Sequence, residues 1–176
     1  NALAMYCDIV PPLIDFAGGE DPLLDGTSLM GLWTNKKIKD HRKEVLISNV
    51  HPFWQKAIVT DTYKLVWTGH PEREHIWGNF NSKGKFFAKP WTEWMEKDKS
   101  NKSAARKVER VLQPKAFELY DVVSDPYETK DLASKASHKQ RIKTLHQQLK
   151  ALMTECGEST IPPQLSDRNK KKNQTK

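Results

Sequence analysis

The pattern that most constrains the fold of this chain is an amphipathic helix near its C-terminus. Apolar residues recur there three or four positions apart, which places them on one stripe of a helix. Ser137 with Gln140 is typical of a capping box, and Gly157 is a typical C-terminal stop. A stripe of this length must be buried against another element of structure. Its members are Ile142, Leu145, Leu149, Leu152, Met153 and Cys156.

Several short runs with strand character can provide the surface that this helix needs. The turn-prone pair Asp61-Thr62 separates two of them and predicts a hairpin. The chain therefore predicts an α+β fold, in which a small antiparallel sheet is packed by the long C-terminal amphipathic helix. The predicted strands cover residues 45–50, 57–60, 63–68 and 116–123.

A further helix is predicted at the front of the chain, over residues 8–17. Asp8 is a suitable N-cap, and Gly18 is a suitable stop. At helical spacing, Ile9, Leu13, Phe16 and Ala17 share one face.

The remaining segments are irregular or polar. Residues 18–29 predict a loop, and residues 34–44 predict a surface connection. Residues 71–112 are rich in Trp and Phe, with a partly helical stretch over 92–112. The aromatic side chains there are more typical of packing than of ligand stacking.

The charge balance does not by itself indicate a nucleic-acid-binding protein. The net charge is +7, but residues 167–176 hold five basic groups and one acid. We expect a disordered basic tail over residues 158–176. No apolar run approaches the roughly 20 residues that span a bilayer, so no membrane is expected as a partner. The start at Asn1 without Met suggests a fragment or a processed chain.

Three stretches in order resemble the sulfatases. DIVPPLIDFAGG with DPLLDGTSL is similar to the family's Asp-Ile-x-Pro helix, which ends in Ala-Gly and precedes Asp-Gly-x-Ser-Leu. IVTDTYKLV resembles a strand that ends in Tyr-Lys, and ELYDVVSDPYETKDLA resembles a late Glu-Leu-Tyr-Asp…Asp-Pro-x-Glu signature. Pro12 departs from the usual Thr or Ser, and Lys130-Asp131 departs from a common Asn. The long Trp-rich spacer between Lys64 and Glu118 resembles the heparan N-sulfatase-like branch.

The resemblance implies the C-terminal region of a formylglycine-dependent sulfatase of the alkaline phosphatase superfamily. Such enzymes hydrolyse sulfate esters or N-sulfates with a formylglycine, made from Cys or Ser in Cys/Ser-x-Pro/Ala-x-Arg, and usually with calcium. Neither Cys7 nor Cys156 begins that motif. We therefore expect no catalytic residue, no metal site and no cofactor in this chain, and no activity from it alone. Calcium and formylglycine are implied only for the full-length enzyme.

The same resemblance divides the chain and names its partners. Residues 1–33 would end the large α/β sulfatase domain, residues 34–157 would form the C-terminal subdomain, and residues 158–176 the tail. The expected partners are the upstream catalytic domain and a sulfated glycan or aryl sulfate substrate. Family habit implies a periplasmic, secreted or lysosomal location.

Basic groups on loops beside the strands are the candidates for contact with a sulfated substrate. These are His51, Lys64, His70 and Arg73. A zinc site at His70 and His75 is disfavoured, because Pro71 disrupts the helix that would align the two rings. The acids of residues 117–133 are expected to cap backbone groups around Asp125-Pro126 and not to catalyse. The alternative function is a polyanion-binding module that uses the basic tail and the aromatic loop.

Overall fold

The computed structural model describes residues 2–20, 23–35, 37–49, 54–72, 93, 96, 97 and 100–164, without the side chains of Lys107 and Val111. The helices are α1 (Val10–Phe16), α2 (Met30–Thr34), α3 (Lys102–Leu112) and α4 (Lys139–Glu155). Two 3₁₀ helices, Tyr6–Ile9 and Ala136–His138, precede α1 and α4. The strands are β1 (Glu44–Asn49), β2 (Gln55–Thr60), β3 (Tyr63–Thr68) and β4 (Phe117–Asp121).

The four strands form one antiparallel sheet in the order β1-β2-β3-β4, which confirms the predicted α+β class. The predicted hairpin at Asp61-Thr62 joins β2 to β3, and the Thr60 hydroxyl accepts the Tyr63 N–H at 3.0 Å. At one end of the β3–β4 pair Val122 donates to Thr62, and at the other end Thr68 donates to Ala116. The partner numbers run in opposite directions, as antiparallel pairing requires.

The chain divides into two compact units, and each has its own buried residues. The first unit takes the described residues of 1–47, 57–65 and 119–149. Its fully buried side chains include Pro12, Ile58, Leu65, Leu119, Tyr120 and Leu149. In its part of α4, Leu145 and Leu149 are buried, so this half of the predicted stripe is confirmed.

The second unit takes the described residues of 48–56, 66–118 and 150–164. Trp54 meets Trp67 edge-to-face, with 4.8 Å between the ring centroids, and Trp67 stacks on Phe117. Gly69 lies against this cluster, where an added Cβ would come within 2.6 Å of the Trp54 ring. The aromatic residues of 77–94, for which the sequence predicted packing, lie outside the described residues, so that interpretation stays a prediction.

Helix α4 begins and ends with different kinds of backbone turn. Its C-terminus follows the prediction, because Gly157 takes a φ of 71° and Glu158 donates to the Met153 carbonyl at 2.7 Å. At its start the predicted capping box is wrong, since Ser137 lies inside the preceding 3₁₀ helix, whose N-cap is Lys135. Within the described residues, no helix combines the length and the apolar composition that a membrane crossing needs.

The front helix differs from its prediction in both its start and its buried face. Asp8 is not the N-cap of α1 but a buried residue of the preceding 3₁₀ helix. The buried residues of α1 are Pro11 and Pro12, whereas Leu13 is 58% exposed and Phe16 is 85% exposed. The apolar residues of the predicted face are therefore exposed, and no described residue buries them.

The corner after β4 is held by carboxylates that accept backbone hydrogen bonds. Asp121 accepts from Val123 and Ser124, and Asp125 accepts from the Lys130 N–H at 2.7 Å and from the Thr129 hydroxyl. Asp131 accepts from Leu119 at 3.1 Å and from Ala133 at 2.8 Å, which ties the corner back to β4. These bonds confirm the structural interpretation of the acids, because each of the three serves a turn or a strand end.

We expect Asp131→Ala to lower the free energy of unfolding by about 1–2 kcal/mol, since it leaves two partly buried backbone donors without their acceptor. Urea denaturation of the 176-residue chain measures this. Lys130→Ala is the matched control, because its exposed side chain should change stability by less than about 0.5 kcal/mol. Equal losses in the two variants would contradict the role assigned to Asp131.

Candidate functional site

Two of the four predicted substrate-contact residues lie in the described part of the chain. His51 and Arg73 lie outside the described residues. Lys64 is on β3, and His70 follows it. The two described side chains differ in what they contact, so each is considered separately.

Lys64 is engaged by the corner after β4. Its Nζ lies 2.8 Å from both carboxylate oxygens of Glu128. Glu128 has a φ of 54°, a left-handed backbone conformation that non-glycine residues seldom adopt. The bidentate ion pair with Lys64 therefore holds the turn at Glu128 in this rare backbone conformation. In this arrangement the charge of Lys64 is already balanced by a carboxylate.

His70 anchors the segment that follows α4. Its Nε2 lies 2.8 Å from the Pro163 carbonyl oxygen, and its Nδ1 lies 3.2 Å from Glu72. The neighbouring Gly69 N–H donates to Trp54, which fixes the backbone beside the ring. Both ring nitrogens thus have partners, and the imidazole holds the segment near residue 163 against the end of β3.

The most buried charged group of the first unit is the Asp8 carboxylate, whose side chain is fully enclosed. One oxygen accepts the Met5 N–H at 2.7 Å and the Arg42 Nε–H at 2.8 Å. The other accepts the Thr27 N–H at 2.8 Å and also contacts Arg42 Nη2. His41 Nε2 lies 3.2 Å from the carboxylate. The prediction that residues 34–44 form a surface connection is therefore wrong for His41 and Arg42.

The two halves of the first sulfatase-like stretch meet at this carboxylate. Asp8 begins the Asp-Ile-x-Pro part, and Thr27 follows the glycine of the Asp-Gly-x-Ser-Leu part. Gly26 lies so close to the Cys7 carbonyl that an added Cβ would come within 1.9 Å of its oxygen. Only glycine fits this approach, which then aims the Thr27 N–H at Asp8. The motif therefore specifies a joint between a 3₁₀ helix and a loop.

The hydrogen bond from Arg42, assisted by the Met5 and Thr27 N–H groups, holds the pKa of Asp8 well below its usual range, although burial opposes this. A carboxylate that stays ionised, has four donors and is closed to solvent cannot act as a general base on a substrate. Its chemistry in this structure is charge pairing that fixes three chain segments.

A second buried charge lies in the other unit. Lys56 is only 3% exposed, and its Nζ contacts Glu158 and the Ser48 hydroxyl. Ser48 also donates to Glu158 at 3.1 Å, so the three side chains form a closed set. Lys56 Nζ lies 5.6 Å from the Trp54 ring centroid, within cation–π range. This set fastens the segment after α4 to β1 and β2.

Sequence reasoning missed both buried ion pairs. Asp8 and Arg42 are 34 positions apart, and Lys56 and Glu158 are 102 apart, so no local pattern links the partners. Among the described residues, no group of three or more His, Cys, Asp and Glu side chains could hold a metal ion.

We expect Arg42→Ala to lower the free energy of unfolding by about 3–5 kcal/mol, because it leaves a buried carboxylate without its cation. Chemical denaturation checks this. The exposed neighbour provides the control, since Lys43→Ala should stay within about 0.5 kcal/mol of the parent. A loss in Arg42→Ala no larger than that of the control would show that the pair does not hold the fold.

The depressed pKa of Asp8 predicts a pH dependence of stability with a definite sign. Its ion pair contributes fully above the unfolded-state pKa of about 3.9 and is lost as pH falls below that value. We therefore expect Asp8→Asn to flatten the loss of stability between about pH 5 and pH 2. Urea titrations across this range measure it.

Asp121→Asn is the comparison variant for this titration. The Ser124 N–H lowers the pKa of Asp121, but this carboxylate ends β4 and serves the exposed turn that follows. Its replacement should flatten the acid limb less than that of Asp8. An Asp8→Asn profile parallel to that of the parent would contradict the assignment.

Comparison with known proteins gives a match in structure only. No protein-family model and no curated protein matches the sequence. The structure of BT4656, solved with its substrate D-glucosamine-2-N,6-O-disulfate, is 19% identical with a TM-score of 0.55. It is matched over 90% of this chain and 25% of its own.

Two further solved structures agree with this match. BT1596, described as a 2-O GAG sulfatase, is 19% identical with a TM-score of 0.50, over 84% of this chain and 24% of its own. A putative sulfatase from Bacteroides thetaiotaomicron is 18% identical with a TM-score of 0.52, over 86% of this chain and 25% of its own. This chain therefore has the fold of a segment that makes up about a quarter of each of these larger proteins.

Proposed function

We propose that this chain is the C-terminal part of a sulfatase that hydrolyses sulfate esters or N-sulfates of a sulfated sugar. One observation carries the proposal. The chain shares its fold with a quarter-length segment of solved sulfatases, and polar contacts join its sulfatase-like stretches, within the first and between the second and the third. Asp8 meets Thr27 within the first stretch, and Lys64 of the second meets Glu128 of the third.

The exposed apolar face at the front of the chain supports a partner domain. Tyr6 is 88% exposed, and the exposed Leu13 and Phe16 follow at helical spacing on α1. Large apolar side chains exposed together mark an interaction surface in a soluble protein. In this proposal, residues 1–33 complete the large α/β domain, and residues 34–157 form the C-terminal subdomain. The upstream part of the large domain covers the exposed apolar face.

The catalytic parts belong to the upstream domain in this proposal. Neither Cys7 nor Cys156 lies in the motif that yields formylglycine, and the described residues offer no grouped metal ligands. Neither cysteine therefore fits a formylglycine site, and the described residues offer no calcium site. We assign no step of hydrolysis to this chain, and we place both groups in the full-length enzyme.

The substrate class is assigned as a sulfated sugar in preference to an aryl sulfate. Two of the matched proteins support this choice by their described substrate or activity, a disulfated glucosamine for one and GAG for the other. His51 and Arg73 are proposed to contact the sugar from loops beside the strands, and His70 joins them when its contacts with Glu72 and Pro163 open. Lys64 joins them only if its pair with Glu128 opens when substrate binds.

We expect the purified 176-residue chain to release no sulfate from D-glucosamine-2-N,6-O-disulfate or from a chromogenic aryl sulfate in the presence of calcium. The catalytic groups are placed elsewhere, so activity should require the longer chain encoded upstream in the same reading frame. The assay measures free sulfate for both proteins, and the longer chain should prefer the sugar.

The control is a longer chain whose Cys or Ser nucleophile is replaced by Ala, which should be inactive. Activity that stays with the 176-residue chain through repurification would contradict the proposal that the catalytic groups lie in the upstream domain. An upstream frame without a Cys/Ser-x-Pro/Ala-x-Arg motif would overturn the proposed function and favour the polyanion-binding alternative.

A further inference from the structure

Three lysines at the start of α4 form a cluster of exposed positive charge. Lys135 precedes the 3₁₀ helix, Lys139 is the first residue of α4, and Lys143 follows one turn later. All three side chains are exposed. Lys139 and Lys143 lie four positions apart, so they project from the same face of the helix, about 6 Å apart along its axis. We call Lys135, Lys139 and Lys143 the lysine cluster.

No carboxylate of the described residues balances this cluster. The ion pairs found in the described part of the chain engage Arg42, Lys56, Lys64, Arg110 and the imidazoles of His41 and His70, and none engages the three lysines. Residues 132–154 contain no Asp or Glu at all. Arg141, on the same helix, differs from the cluster because its guanidinium lies 4.1 Å from the Tyr63 ring centroid and contacts His138.

This placement of lysines is unfavourable for the helix itself. A helix is stabilised by acidic residues near its N-terminus, but the first turn of α4 contains none. Like charges four positions apart also repel each other. A sequence that breaks two local rules at one exposed place, with no contact that compensates, is typical of a functional surface.

The chemistry of the cluster favours a sulfated chain over a nucleic acid. Lysine ammonium groups pair with sulfate as point charges and need no planar geometry. Single-stranded nucleic acids also require exposed aromatic faces for base stacking. Tyr63, an aromatic residue near the start of this helix, has one face covered by Arg141.

We propose that the lysine cluster is a binding surface for a sulfated polysaccharide, made of other residues than the predicted contacts His51, Lys64, His70 and Arg73. This inference rests on the proposed function and deepens it, since it makes the substrate a polymer and not a single sugar. The cluster would hold sulfate groups along the polysaccharide chain.

The test measures binding of a fluorescein-labelled heparin oligosaccharide to the 176-residue chain. We expect Lys135→Gln, Lys139→Gln and Lys143→Gln together to weaken binding roughly tenfold at about 0.15 M salt. The slope of log Kd against log salt should fall by roughly two to three, because three charge contacts are lost. A matched triple replacement at Lys37, Lys39 and Lys102, which are also exposed, removes the same charge and should change Kd by less than about twofold.

A triple Lys→Arg variant of the cluster guards against a folding artefact and should retain the parent affinity. Equal losses in the cluster and control variants would overturn the inference. So would duplex DNA that binds as tightly as heparin through the same three lysines. The measurement involves no turnover, so a failed sulfatase assay would remove the proposed function and leave the binding result readable.

Discussion

The structure of the first unit depends on one buried carboxylate. Asp8 joins the 3₁₀ helix through Met5, the loop through Thr27 and the segment before β1 through Arg42. Arg42 also forms a β-bridge with Leu3, so the chain start is held on both sides of the ion pair. A buried carboxylate is costly unless its acceptor sites are used and its charge is paired, and here both conditions are met.

The sulfatase-like stretches are informative because their polar residues bind one another. Gly26 permits the close approach that lets Thr27 reach Asp8, and Lys64 on β3 holds Glu128 beyond the Asp-Pro turn. The acids of the corner are therefore structural. A match to these stretches indicates a shared fold but gives no information on the catalytic chemistry. Activity therefore has to be argued from other parts of the protein.

The sequence was most predictive where structure is decided locally. The α4 stripe, the hairpin at Asp61-Thr62 and the stop at Gly157 follow from periodicity and turn chemistry, which act over a few residues. The role of Asp8 could not be predicted in this way. As an acid before two prolines it resembles an N-cap, and only its pairing with Arg42, 34 positions away, makes it a buried centre. The Lys56 and Glu158 pair was hidden for the same reason, at a separation of 102 residues. For the substrate contacts, the sequence could suggest Lys64 as a basic group on a hairpin, but not that Glu128 already holds it.

The distribution of charge separates structural cations from available ones. Arg42, Lys56 and Lys64 are each paired with a carboxylate, and their side chains are largely or fully withdrawn from solvent. Lys135, Lys139 and Lys143 are exposed and have no such partner among the described residues. Pairing in a partly buried setting stabilises the fold, whereas unpaired charge at the surface is screened by salt and adds little to stability. The net charge of +7 is therefore a poor guide to binding, and what matters is which cations the fold leaves unpaired. The basic tail follows α4 in the sequence, whereas the lysine cluster lies at the start of that helix. A polyanion that needs the cluster therefore binds a surface of the folded helix.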